Sequence, residues 1–322
     1  MPNLNVAVIG SPDYAKQLGK KSTTSDIAFF DLKRDDVTVS LVEPAKYPEK
    51  LASLFFAVSL ADAAIVVVEQ IGPMFGECVI MLDCIGVKKG YIVTRGYITP
   101  EQIAPLTKGT VLEGYEMVED DPIKLREMLL MQAERRMPAD TGSGRSSGSV
   151  SVDHYFDVKG VGTVVLGCVA DGIIGRHDSV KVHPIGTDAE IRSIQKHDDD
   201  FDSAVKGDRV GLALKGVSVS ELDRGTVLSN DEKLVRSHKI AARAHLVKYW
   251  LNPLREGMVL HIGHWMQFEP ARILSVGAGT DWRSPDIVLE LEKDLVYPPG
   301  SRAVMTYLEG GKLRVVGTLD LA

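Results

Sequence analysis

The chain has 322 residues, 44% of them hydrophobic and 25% charged, a balance that suits two or three folded domains and excludes a disordered or collagen-like chain. Its net charge of −7 argues against indiscriminate nucleic-acid binding, and no apolar run approaches the length of a membrane span. The first nine residues lack the basic-then-apolar order of a signal peptide, so the expected location is the cytoplasm, with no membrane partner.

The N-terminal part alternates strand and helix patterns. Asn3 to Ile9 is an apolar run ending at Gly10 and predicts a buried strand. Further strands are expected at Asp26 to Leu32, Val37 to Val42, Ala63 to Val68, Gly90 to Thr94 and Thr110 to Tyr115. Helices are expected at Pro48 to Leu60, Pro73 to Ile85, Pro100 to Leu106 and Pro122 to Arg136, several opened by a proline in the first turn. This order implies a mostly parallel sheet covered on both faces, with a ligand crevice at the strand C-termini. Cys78, Cys84 and Cys168 match no disulfide or zinc spacing and read as buried small hydrophobes; no metal set is expected.

After the first strand the chain reads Gly10-Ser11-Pro12-Asp13-Tyr14-Ala15-Lys16-Gln17. A P-loop needs a second glycine before its lysine, so that backbone N–H groups can wrap phosphate, and a following hydroxyl for magnesium. Gly10 and Lys16 fit, whereas Ala15 and Gln17 do not. Val42-Glu43-Pro44-Ala45-Lys46 stands where a GTPase carries Asp-x-Pro-Gly-His, with Glu43 the nearest carboxylate, one residue late. Thr94-Arg95-Gly96-Tyr97 stands where guanine would be read and lacks the required carboxylate. Thr24 opens Thr24-Ser25-Asp26-Ile27-Ala28-Phe29, similar to the segment that follows a switch loop. Gly10, Asp13, Lys16, Thr24 and Glu43 are therefore candidate vestiges of a GTP/Mg²⁺ site. Hydrolysis is not expected and no catalytic residue is assigned, because positioning and charge stabilisation are nearly the whole of catalysis in this reaction class.

Residues 138–149 have the composition of a flexible tether. Beyond it, short alternating strands with Gly and Asp turns predict barrels. Gly160 and Gly162 are expected to bend a strand at a barrel corner, with Val164, Val165, Val210, Leu212 and Leu214 inside. Four spaced motifs, Phe156 to Val169, Gly172 to Val180, Ala204 to Leu212 and Asp223 to Leu228, resemble domain 2 of elongation factor Tu and its selenocysteine-specific relative SelB. The resemblance implies a degenerate P-loop-type G-domain at 1–137, a linker at 138–149, a domain 2-like barrel at 150–235 and a domain 3-like barrel at 236–322. In the family, domain 2 holds the 3′-terminal adenosine of aminoacyl-tRNA; the matching positions are Val169, Gln195, Leu212 and Leu214, with Gln in place of a Glu. Val161 replaces the family's basic residue between the two glycines.

Residues 236–322 carry eleven Lys/Arg against nine Asp/Glu, the only net-positive part of the chain. Asp198 to Asp200 read as a solvated turn, and His261-Ile262-Gly263-His264 as strand rather than as a synthetase signature. The function that the resemblance implies is a translation-factor-like protein that does not hydrolyse GTP and binds tRNA or another part of the translation machinery. A working GTPase with unusual nucleotide contacts and a protein-interaction scaffold are the alternatives.

Overall fold

The computed structural model describes residues 2–136, 147–277 and 281–322. The first unit contains β1 (Asn3–Ile9), β2 (Lys20–Thr24), β3 (Ala28–Arg34), β4 (Val37–Glu43), α1 (Leu51–Ser59), β5 (Ala63–Val68), α2 (Pro73–Ile85), β6 (Gly90–Thr94), α3 (Pro100–Thr107), β7 (Glu116–Val118) and α4 (Pro122–Glu134). They form one sheet in the order β2-β3-β4-β1-β5-β6-β7, parallel from β4 to β7 and antiparallel at β2 and β3. β1 and β5 are buried on both faces, one against α1 and α2 and the other against α4, as their unbroken apolar runs require. Proline in the first turn opens α2, α3 and α4, where its missing N–H costs nothing.

One expected strand of this unit is corrected. Residues 110–115 form no strand: Val111–Gly114 is a 3-10 turn capped by the Thr110 hydroxyl, and β7 begins at Glu116. Leu112 and Tyr115 are its buried residues, three apart, which is a helical rather than a strand spacing. The segment between Lys16 and Thr24 is largely the edge strand β2, whose polar residues make it the least buried strand of the sheet.

The first barrel comprises β8 (Gly148–Val158), β9 (Gly162–Gly175), β10 (Ser179–His183), β11 (Thr187–Lys196), β14 (Arg209–Lys215) and β15 (Val227–Ser229), closed in the order β10-β15-β8-β9-β14-β11 by the β10–β11 pairing; β12 (Asp199–Phe201) and β13 (Ser203–Val205) are added at its margins. Most of the expected tether lies outside the described residues, and its last two, Gly148 and Ser149, are paired in β8. Val165, Val210, Leu212 and Leu214 fill the interior, whereas Val164 is half-buried on the outer face. Gly160 and Gly162, with φ of 83° and 94°, build the β8–β9 turn instead of a corner; the β8–β9 pair is bulged at two register shifts, at Ala170 of β9 and at Asp153 of β8. His197, largely buried, and the exposed Asp198, both left-handed, form the β11–β12 turn; of the three acids expected in a solvated turn, Asp199 and Asp200 lie instead in β12, still exposed.

The second barrel is closed in the order β16 (Val235–Leu246), β19 (Asp286–Tyr297), β18 (Gln267–Val276), β17 (Val259–His264), β20 (Arg302–Thr306) and β21 (Val315–Asp320). His261 and His264 lie on β17.

Candidate functional site

The crevice at the C-terminal end of β1 is where an α/β sheet binds ligands. Gly10 takes φ 96°, and a Cβ there would come within 2.1 Å of the Val67 carbonyl oxygen, so the turn leaves β1 tightly against β5. A P-loop would now enter a long helix whose free N–H groups and dipole hold phosphate. Here the chain makes a single four-residue 3-10 turn, Tyr14–Gln17, and passes into β2.

The cradle that remains is occupied by the protein itself. Glu43, 6% exposed at the end of β4, accepts a hydrogen bond from the Ala15 N–H at 2.9 Å. Burial pushes its carboxyl above the ordinary range, the Asp13 carboxylate adds to this, and the amides of Ala15, Asp13 and Tyr14 oppose it. Lys16, the candidate phosphate lysine, pairs with Asp13 at 2.5 Å, and both side chains are mostly in solvent. Gly10, Asp13, Lys16 and Glu43 thus meet around one loop. Thr24 lies instead at the exposed end of β2, paired with Ala28.

The loops that would hold the base are stitched together by residues that the motif comparison passed over. Arg95 donates to Glu69 at 2.9 Å and to Asp120 at 2.8 Å. Ser11 donates to Glu69 at 2.7 Å, and the buried Tyr14 hydroxyl donates to Asp120 at 2.8 Å beneath the Arg95 guanidinium. Burial would raise Asp120, but the bonds from Arg95 and Tyr14 hold its carboxyl below the usual range. Four loops at the mouth therefore satisfy one another. The only signal in the sequence was an aromatic residue, Tyr14, in the middle of a presumed phosphate loop.

The next segment is clamped to the first barrel. Arg224 forms an ion pair with Asp26, donates to the Ser25 hydroxyl at 3.0 Å, and reaches the Asp153 carbonyl at 3.2 Å. Arg209, paired with the fully buried Asp153, lies 3.9 Å from the Phe29 ring centroid. Burial works against the Asp153 carboxylate, but the Arg209 charge and the bonds from His154 and Arg209 hold it ionised.

The four barrel positions matched to a tRNA-end cleft fall on two faces of the wall. Val169, Leu212 and Leu214 point into the barrel core. Gln195 is exposed outside, where it donates to Asp200 at 3.0 Å, opposite Gly211 on β14. Motif alignment locates positions along a strand, whereas the face follows from strand alternation around Ile194.

Residues 162–229 match the family described as elongation factor Tu domain 2. An uncharacterized protein of Methanocaldococcus jannaschii is 33% identical over 320 residues, covering 98% of this chain and 99% of that protein. The selenocysteine-specific elongation factor of the same organism is 26% identical over 294 residues, 84% of this chain, which spans only 61% of that factor's length. Among solved structures, elongation factor SelB of Methanococcus maripaludis in complex with the GTP analogue GppNHp superposes with a TM-score of 0.80 at 23% identity, covering 100% of this chain and 79% of that one.

Proposed function

This chain belongs to the elongation factor Tu and SelB family of translation factors, and we propose that it acts there without a nucleotide switch, as a fixed platform that binds tRNA or another RNA-bearing component of the translation machinery. The observation that carries this reading is the Glu43 carboxylate seated on the amide of the β1 loop, in the cradle that a nucleotide phosphate would need. A carboxylate covalently tethered at that point competes at very high effective concentration, and the four-residue turn supplies no helix dipole to favour a dianionic phosphate over it.

Calorimetry with GTP, GDP and ATP in the presence of Mg²⁺ tests this, with Lys16→Ala as control. The expected result is no binding up to about millimolar nucleotide, where an interaction is worth only roughly 4 kcal/mol. Guanine-selective binding near micromolar that is lost in Lys16→Ala would overturn the reading and restore a GTP-operated factor. For the RNA half, Gln195→Ala is the informative barrel variant, because Leu212 is 0% exposed and a polar residue there would disrupt the barrel itself.

A further inference from the structure

Under the opposite end of the α/β sheet from the nucleotide crevice lies a cleft of about 800 Å³. Its walls are the loop joining α2 to β6 and the last turns of α4, and Val87, Tyr91 and Met131 contribute an apolar lining. Lys88, Lys89 and Arg135 stand exposed on its rim, and among the described residues none has a carboxylate within 4.0 Å. Arg136 is engaged inside the protein, paired with Asp62 and donating to the Asn3 carbonyl at 3.1 Å.

The C-terminal ends of α2 and α4 each bring roughly half a negative charge to this region, and Glu116 brings one more. Three unpaired cations exceed that, so the rim keeps a positive potential on a chain whose net charge is −7. Tyr91 forms part of the floor, half-buried against the core with its hydroxyl donating to Gln132 at 3.1 Å, and the exposed cations above it make the kind of positive groove that tracks a nucleic-acid backbone.

We propose that this cleft is a contact for the phosphate backbone of single-stranded RNA, with Lys88, Lys89 and Arg135 facing phosphates and the exposed Met131 beneath a nucleoside. It rests on the RNA-binding reading above and adds a second point of attachment, on the far side of the α/β unit from the plugged crevice. Phosphate contacts of this kind position the strand and carry no sequence preference.

The test is fluorescence anisotropy of a labelled oligoribonucleotide of about a dozen nucleotides, titrated at several salt concentrations against the full chain, Lys88→Ala/Lys89→Ala and Gln195→Ala. Each phosphate contact on a single strand contributes about 0.7 to the slope of log K against log salt, so the double variant is expected to bind more weakly with a slope shallower by about 1.4. An unchanged affinity and slope in the double variant, with Gln195→Ala weakened, would overturn the cleft contact and leave RNA binding on the barrel. No binding by the wild-type chain would overturn both. A labelled oligoglutamate peptide that binds the cleft while the RNA does not would reassign it to an acidic protein partner.

Discussion

At the scale of single residues, Glu43 ties the end of β4 to the loop that follows β1. Its carboxylate is buried, yet it gives the Ala15 N–H its acceptor. Glu43→Ala removes that acceptor and is expected to cost about 1–3 kcal/mol in urea unfolding at neutral pH. Glu43→Gln keeps an acceptor and removes the charge. Because the folded-state pKa of Glu43 is raised, its ionised form opposes folding: the stability it contributes is fully present below the ordinary carboxyl value and is lost as pH rises through the raised one. Glu43→Gln should therefore be at least as stable as the wild type at neutral pH, and an alanine variant more stable than both would refute the role given to this side chain. His264 supplies the opposite case. Burial lowers its pKa from 6.5 to about 4, its Nδ1–H donates to the Arg302 carbonyl at 3.3 Å, and its Nε2 has no partner among the described residues. With the folded value below the unfolded one, stability is complete above about pH 6.5 and declines as pH falls towards 4, by something on the order of 3 kcal/mol. His264→Leu should flatten that part of the pH–stability curve, and a curve of unchanged steepness would show that other groups govern it.

At the scale of elements, what the sequence made legible depends on how many residues share a signal. β1, β5 and α2 were readable because a whole segment is uniformly apolar or opens on proline. β2 was not, since Lys20–Thr24 has no apolar face and exists by pairing with β3 at the sheet edge. Thr110, Val111 and Tyr115 are strand-favouring residues that disguise the turn at residues 111–114, while the bond from the Tyr115 hydroxyl to the Val87 carbonyl at 2.7 Å is long-range and leaves no local trace. The same limit governs the candidate sites. The departure from the P-loop pattern was visible in Ala15 and Gln17, but that Glu43 turns back into the loop, and that Arg95 joins Glu69 to Asp120, depends on strand order across the sheet. Motif matching aligned Gln195 with three core residues although one step along a strand reverses the face.

At the scale of the whole molecule, the three units share buried contacts that a nucleotide-driven rearrangement would have to break. Asn3 and Asn5 each donate to the Gly207 carbonyl at 2.8 Å, joining β1 to the first barrel. Phe55 and Phe56 of α1 pack on Phe268 of the second barrel, and the Met266 N–H donates to the Ser151 hydroxyl between the barrels at 3.1 Å. The most consequential of these joints is Glu77 on α2, 3% exposed, which accepts from the Arg314 backbone N–H at 3.0 Å and from its guanidinium at 2.5 and 3.1 Å. Removing one partner of a buried pair leaves an uncompensated charge and typically costs about 3–5 kcal/mol, so Glu77→Ala should lower stability by that order. Because the hydrophobic core of the α/β unit itself includes Met266, Val304 and Val315 of the second barrel, the loss should appear as one cooperative transition moved to lower urea, equally by fluorescence and by circular dichroism. Two separated transitions, with the first barrel keeping its wild-type midpoint, would mean that the units are independently stable and that a fixed arrangement has to be maintained by a partner instead of by these contacts.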